Sequence, residues 1–157
     1  MRIGVGYDVH PLREGRALIL GGVHVEHAKG LEGHSDADVL THAVIDSVLG
    51  AAGLGDIGAH FPPDDVRFKG ASSLELLSEA ARVVSNAGYR VVNVDSTIVA
   101  QAPRLGSHLG EMVRNIARSL ALDHGAVSVK ATSPEGIGAL GAGEGIAAHA
   151  VALIEEQ

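Results

Sequence analysis

Asp8 and His10 stand on either side of Val9 in the segment GYDVHPL, residues 6–12. Side chains two positions apart on a β-strand point to the same face, so this carboxylate and imidazole can aim at one point. The same pair also fits a polar strand end beside a turn set by Pro11. A further histidine, His42, lies inside an apolar-patterned stretch, with Asp38 and Asp46 four residues away on either side. On a helix those three share a face, and carboxylates so placed can orient the ring of a metal-ligating histidine. A lone helical histidine is more often simply packed or exposed. Asp8, His10 and His42 together make a set of two imidazoles and one carboxylate, and three protein ligands with a fourth position open is the pattern of a catalytic zinc ion. That reading assumes that the three meet in space.

Two other stretches suit phosphate. Gly33-His34-Ser35-Asp36 puts an imidazole, a hydroxyl and backbone N–H groups ahead of a helix N-terminus, where phosphate binds readily; helix capping alone also accounts for it. Thr132-Ser133-Pro134-Glu135 ends a strand with two hydroxyls and a carboxylate. Hydroxyls can contact phosphate and a glutamate can hold Mg²⁺ between phosphate oxygens, although an ordinary turn has the same composition. Gly141-Ala142-Gly143-Glu144-Gly145 has no following Lys-Ser/Thr and matches neither a Walker A loop nor a dinucleotide fingerprint. Close backbone packing is the better reading of it.

The elements that must position these groups follow from hydrophobic periodicity. Ile3, Val5, Tyr7 and Val9 alternate over residues 2–9, which predicts a strand. Residues 17–25 predict a hairpin or bent strand around Gly21-Gly22, and 28–37 a loop. Residues 38–52 carry apolar positions 40, 44, 45, 48 and 52 at helical spacing, with Asp36 or Asp38 as cap. Several glycines and Pro62-Pro63 make 53–71 a long loop, of the kind that is often functional. A helix is predicted over 72–87, with Ser72 as N-cap and Gly88 as C-cap. A strand over 90–100 is broken by Pro103 and followed by an amphipathic helix over 105–120. Residues 126–132 predict a strand, and 145–154 a largely buried final strand, for which the pattern also allows a helix. The class is α+β or α/β, with one layer of helices on one sheet.

Composition narrows the function. The 157 residues suit a single domain, 1–157. Aromatic residues are 3% and tryptophan is absent, so the core is built from Val, Ile, Leu and Ala. A formal net charge of −7 argues against a non-specific nucleic-acid binder, which would normally be basic. It also means that a phosphorylated ligand needs local help, from metal ions or backbone N–H groups. With no cysteine, disulfides and thiolate zinc sites are excluded. The opening MRIGVGYDVH lacks a signal peptide's apolar stretch, and no run of about 18 apolar residues exists. A soluble cytoplasmic protein with no membrane partner is the expectation.

Six segments taken together, GYDVHPL (6–12), GHSDADVLTHAVIDSVLGAAGLGDIG (33–58), HFPPDD (60–65), VAQAPRL (99–105), VKATSPE (129–135) and GEGIAAHAVALI (143–154), resemble the 2-C-methyl-D-erythritol 2,4-cyclodiphosphate synthase family of non-mevalonate isoprenoid biosynthesis. The resemblance spans essentially the whole chain in order. It implies an α+β domain with one mixed β-sheet layered against helices, assembling as a homotrimer around packed sheets, each active site shared by two subunits. It implies Asp8, His10 and His42 as zinc ligands, and His34 and Ser35 as phosphate contacts. His34 and Ser133 are the implied transition-state stabilisers; relatives commonly carry Thr where Ser133 stands. Glu135 is implied to hold Mg²⁺ or Mn²⁺ with the diphosphate. Asp56, Ile57 and Gly58 line the methylerythritol pocket, beside a mobile loop of Phe61, Pro62, Pro63, Asp64 and Asp65. Ala100, Gln101, Ala102, Pro103, Arg104, Leu105 and Gly106 form the cytidine pocket, with Thr132, Ser133 and Pro134 next to the nucleotide. The implied reaction converts 4-diphosphocytidyl-2-C-methyl-D-erythritol 2-phosphate to the cyclodiphosphate and CMP. Many relatives carry Phe, Arg and Glu at the positions of Ala139, Ala142 and His149, lining an axial cavity for an isoprenoid diphosphate; here that cavity is expected to lack its cation.

Two other classes compete. A zinc phosphohydrolase would release inorganic phosphate, and a trimeric metal-nucleotide sensor would turn nothing over. The hydroxyls of Thr132 and Ser133 and the carboxylate of Glu135 argue against the sensor. Trimer formation is also expected from the apolar final segment, Ile146 to Ile154, as more apolar than a solvated edge strand tolerates.

Overall fold

The computed structural model describes residues 1–157. Its strands are β1 (Arg2–Glu14), β2 (Leu18–Leu20), β3 (Val23–Val25), β4 (Lys29–Leu31), β5 (Tyr89–Val99), β6 (Val127–Thr132) and β7 (Gly145–Glu156). Its α-helices are α1 (Val39–Ala52), α2 (Ile57–His60), α3 (Ser73–Asn86), α4 (Leu109–Ser119) and α5 (Gly138–Gly141). Five strands form one sheet in the order β4-β1-β7-β5-β6, while β2 and β3 pair separately. The sheet is mixed: β5 and β6 run parallel, with α4 in the crossover between them, and the other pairings are antiparallel.

β1 alternates as the sequence predicts, but its apolar set faces outward. Ile3, Val5, Tyr7 and Val9 are exposed, whereas Gly4 and Gly6 are buried against α1. A Cβ on Gly4 would collide with the Ser47 carbonyl oxygen, and one on Gly6 with that of Ala43. The two glycines therefore let the helix lie directly on the strand, and Asp8 and His10 continue the same inner face. α1 is buried nearly all round, its apolar residues sharing one core with β7, α3 and α4. A helix apolar on every side belongs in an interior.

Several boundaries differ from the sequence reading. β4 pairs with the end of β1 inside the stretch read as a loop, since Leu12 and Leu31 face each other and are both buried. The stretch 53–71 contains α2 and a 3₁₀ turn at Val66–Phe68. The helix placed at 105–120 opens as a 3₁₀ turn, Gly106–His108, before becoming α-helical. Ser72 precedes α3 but makes no side-chain cap, and the Asp36 carboxylate takes the Ser73 N–H at 3.0 Å instead. Gly88, with φ of 87°, follows that helix in the left-handed region. Gly21 and Gly22 both have positive φ between β2 and β3, as a type I′ hairpin turn demands.

The final segment is a strand, but its apolarity does not speak for assembly. β7 is the middle strand of the five, and its apolar residues are explained by the helices over its inner face. The better signal is the uncovered face of β1, which β7 extends with exposed His149 and Val151. No helix is long and apolar enough to cross a membrane.

Candidate metal and phosphate site

Asp8, His10 and His42 meet where the C-terminal half of β1 passes under the first turn of α1. Asp8 Oδ2 lies 2.9 Å from His10 Nε2 and 3.0 Å from His42 Nδ1, and the two nitrogens are 3.3 Å apart. Ligand atoms around a tetrahedral zinc ion, with bonds of about 2.0–2.1 Å, stand about 3.3 Å from one another. The triangle is thus close to the size that such an ion requires.

Each ring has one nitrogen in that triangle and the other held outside it. His10 Nδ1 lies 2.7 Å from the Glu32 carbonyl oxygen, which can only accept, so Nδ1 carries a hydrogen and Nε2 is left either to donate to Asp8 from the protonated ring or to give its lone pair to a cation. His42 Nε2 lies 2.9 Å from Ser73 Oγ and 3.1 Å from Ser35 Oγ, on the side away from Asp8. Burial alone would raise the Asp8 carboxyl, but its hydrogen bonds to His10 and His42 and their charges hold it far below the ordinary carboxylate range. Burial pulls His10 down, and the hydrogen bond and charge of Asp8 more than reverse this, leaving it raised. A neutral-nitrogen and carboxylate donor set of this kind suits a divalent cation.

The carboxylates expected to orient His42 do other work. Asp38 is fully buried and takes four hydrogens, from the backbone of Gly21, Gly22 and Thr41 and from the Thr41 hydroxyl, at 2.7–3.0 Å. It caps α1 and fastens the β2–β3 turn to it, and its burial raises its pKa. Asp46 accepts the Ile57 N–H at 2.7 Å, so it holds the start of α2; burial raises this carboxyl as well. Nothing in the sequence singles out Ser73. It lies 31 positions from His42, at a helix start where a serine reads as an ordinary cap, and only the packing of α3 beside α1 joins them.

A cavity of about 250 Å³ opens over the triangle. His34, Ser35, Ile57, Gly58, Phe61 and Pro63 line it together with the three ligands. Asp56 caps α2 by accepting the Ala59 N–H at 2.9 Å. Pro62, Asp64 and Asp65 belong to the same loop without lining the cavity. Asp65 is occupied by Arg67, whose hydrogen bonds lower its pKa, and its carbonyl accepts from His34 Nε2 at 3.1 Å.

The other expected contacts gather elsewhere. Ala100, Gln101, Pro103, Arg104, Leu105, Gly106, Thr132 and Ser133 line a second cavity between the ends of β5 and β6 and the start of α4. Ala102 faces a different hollow, with Lys29 and the 141–145 glycine-rich turn. Pro134 and Glu135 follow in a turn where Ser133 Oγ accepts the Glu135 N–H at 3.0 Å. His34 and Ser133 line separate cavities, which share no residue.

Known proteins resemble this chain along its whole length. A profile of the YgbB family matches residues 1–155. The 2-C-methyl-D-erythritol 2,4-cyclodiphosphate synthase of Syntrophomonas wolfei is 60% identical over 99% of both chains. That of Desulfosudis oleivorans is 59% identical over 100% of this chain and 94% of its own. Among solved structures, a 2C-methyl-D-erythritol-2,4-cyclodiphosphate synthase in its CDP-bound form superposes with a TM-score of 0.90 at 36% identity, over 98% of this chain and all of that one. The bifunctional IspDF of Campylobacter jejuni gives 0.95 at 42% identity; the match covers 99% of this chain and 42% of that longer polypeptide. The chain belongs to the YgbB family, that of the 2-C-methyl-D-erythritol 2,4-cyclodiphosphate synthases.

Proposed function

We propose that this protein is an enzyme of non-mevalonate isoprenoid biosynthesis, a lyase that converts 4-diphosphocytidyl-2-C-methyl-D-erythritol 2-phosphate to 2-C-methyl-D-erythritol 2,4-cyclodiphosphate and CMP. The observation that carries the reading is the Asp8–His10–His42 triangle facing a cavity lined by His34 and Ser35. A 2-phosphate oxygen attacks the β-phosphorus, one P–O bond forms, and the bond from that phosphorus to the α-phosphate oxygen breaks. CMP leaves with that oxygen and its electron pair. The nucleophile is already an anion, so no strong base is required. The task is to hold two repelling phosphates in line, which is orientation and charge stabilisation.

Asp8, His10 and His42 would hold Zn²⁺, and Glu135 would hold Mg²⁺ or Mn²⁺ against the diphosphate. These cations supply charge neutralisation at the phosphate oxygens, which explains how a chain of net charge −7 accepts a polyanion. His34 and Ser35 contact phosphate oxygens, and His34 and Ser133 stabilise the charge that develops between them. Asp56, Ile57 and Gly58 hold the methylerythritol, with Phe61 to Asp65 flanking it. The second cavity, Ala100 to Gly106 with Thr132, receives the cytidine through backbone groups, and Pro134 shapes its exit. A phosphorylated substrate that cannot cross a membrane unaided fits a cytoplasmic location.

We infer a homotrimer with each site shared by two subunits. The support is that the metal and nucleotide cavities are separate in one chain, while Ile3, Val5, Tyr7, Val9 and Val151 form an apolar face without cover. On its axis, Ala139 and Ala142 offer no cation, so no diphosphate site comparable to that of many relatives is proposed.

Incubation with the substrate and Mg²⁺, followed by phosphorus NMR, tests the reaction. Cyclodiphosphate and CMP in equal amounts are expected. Free inorganic phosphate would establish the hydrolase instead.

A further inference from the structure

The hydrogen bonds behind His42 form a directed chain. Asp36, in the loop ahead of α1, accepts the Ser73 N–H at 3.0 Å through Oδ2 and sits in close contact with the Ser73 hydroxyl through Oδ1. Asp36 Oδ1 also accepts the Asp38 N–H, so both oxygens of the carboxylate are engaged as acceptors. The fully buried Ser73 hydroxyl has one hydrogen and two neighbours that can take it, Asp36 and His42 Nε2. A carboxylate cannot donate, so Ser73 and Asp36 are both satisfied when Ser73 donates to Asp36 and accepts from His42 Nε2–H, an arrangement that a cation between Nδ1 and the Asp8 carboxylate completes. That puts the His42 hydrogen on Nε2 and its lone pair on Nδ1, the atom 3.0 Å from Asp8. Ser35 is affected as well. Its Oγ lies 3.1 Å from a nitrogen that now carries hydrogen and accepts the Ala37 N–H, so its own O–H is free to turn into the cavity.

We propose that Asp36 and Ser73 are positioning residues: they hold His42 in the Nε2–H tautomer, aim Nδ1 into the metal triangle, and leave the Ser35 hydroxyl as a donor toward a phosphate oxygen. The proposal rests on the metal reading of the triangle. It also gives the serine at the start of α3 a function that its position in the sequence conceals. The Asp36 carboxylate caps α3 from another element, and the Asp36 N–H donates to the Ala71 carbonyl at 3.1 Å, at the end of the loop that precedes that helix.

Two measurements test it. Long-range ¹H–¹⁵N correlation on histidine-labelled, metal-free Asp8→Ala protein at pH 8.5, where no carboxylate competes for Nδ1, should give the Nε2–H pattern for His42; an Nδ1–H pattern overturns the proposal. Competition with a chromophoric chelator should show zinc bound about 10–100-fold more weakly by Ser73→Ala than by the parent, the range typical of lost partners to a ligating histidine. An affinity within about twofold of the parent, far short of that range, at unchanged Tm of the metal-free variant, overturns it too. Should Ser73→Ala fail to fold, the His42 tautomer in Asp8→Ala decides. A parent that binds no zinc defeats the metal reading, and the tautomer still reports on Asp36 and Ser73 separately.

Discussion

Gly6 lies directly beneath Ala43, with no room between the strand and the helix carbonyl for even a methyl group. This contact sets the separation of β1 and α1. It is what allows side chains from the two elements, Asp8 and His10 on one and His42 on the other, to bring their ligand atoms within 3.3 Å.

Gly6→Ala should therefore damage both stability and metal binding. Overpacking a tight contact costs about 1–3 kcal/mol, and the obstruction here is backbone, which yields least. Urea denaturation should show a loss at the upper end of that range, and elemental analysis a reduced zinc content. A variant with parental midpoint and parental zinc would contradict the account of the glycine face.

Asp38 is expected to dominate local stability without touching the metal. Asp38→Ala leaves four donors without their acceptor, in a site that is fully buried. Each such group costs about 1–3 kcal/mol when nothing replaces its partner, with water relieving some. A net loss of about 3 kcal/mol or more in chemical denaturation is expected, and a loss under about 1 kcal/mol would contradict it.

The metal-free protein should have a characteristic pH dependence. Asp8 is depressed on folding, so its contribution is present above the unfolded carboxylate value and is lost as pH falls through the folded one. His10 is raised, so its contribution is complete below the unfolded imidazole value and is lost as pH rises through the folded one. Both conditions hold between about pH 4 and pH 6.5. Thermal melts of metal-free parent should exceed those of Asp8→Asn most within that window, and the gap should narrow above neutrality.

A shared active site makes a quantitative statement about mixed assemblies. His42→Ala and Ser133→Ala should each be nearly inactive alone. In randomly mixed trimers with head-to-tail interfaces, about one site in four unites an intact metal half with an intact Ser133 half. Co-expressed variants should regain about that fraction of parental turnover, and no recovery in a confirmed mixed trimer would place the site within one chain. Val5→Glu on the uncovered face should abolish assembly in light scattering and activity with it.

β4, α2 and α5 are not legible in the sequence, whereas the family, the longer strands and helices and the three candidate metal ligands are. They rest on local or whole-chain regularities: strand alternation around Asp8 and His10, helical spacing around His42, and six ordered segments. Which way β1 faces is settled only by packing. Its apolar residues alternate as a buried set would, yet the core side belongs to Gly4 and Gly6, because α1 must approach the backbone itself. Packing likewise determines that Asp38 and Asp46 secure backbone while Ser35 and Ser73 hold the His42 ring. Spacing along a helix places a side chain on a face, but the partner it meets there comes from whichever distant element packs against that face. For His42 that element is α3, whose first residue contributes a hydroxyl group 31 positions along the chain.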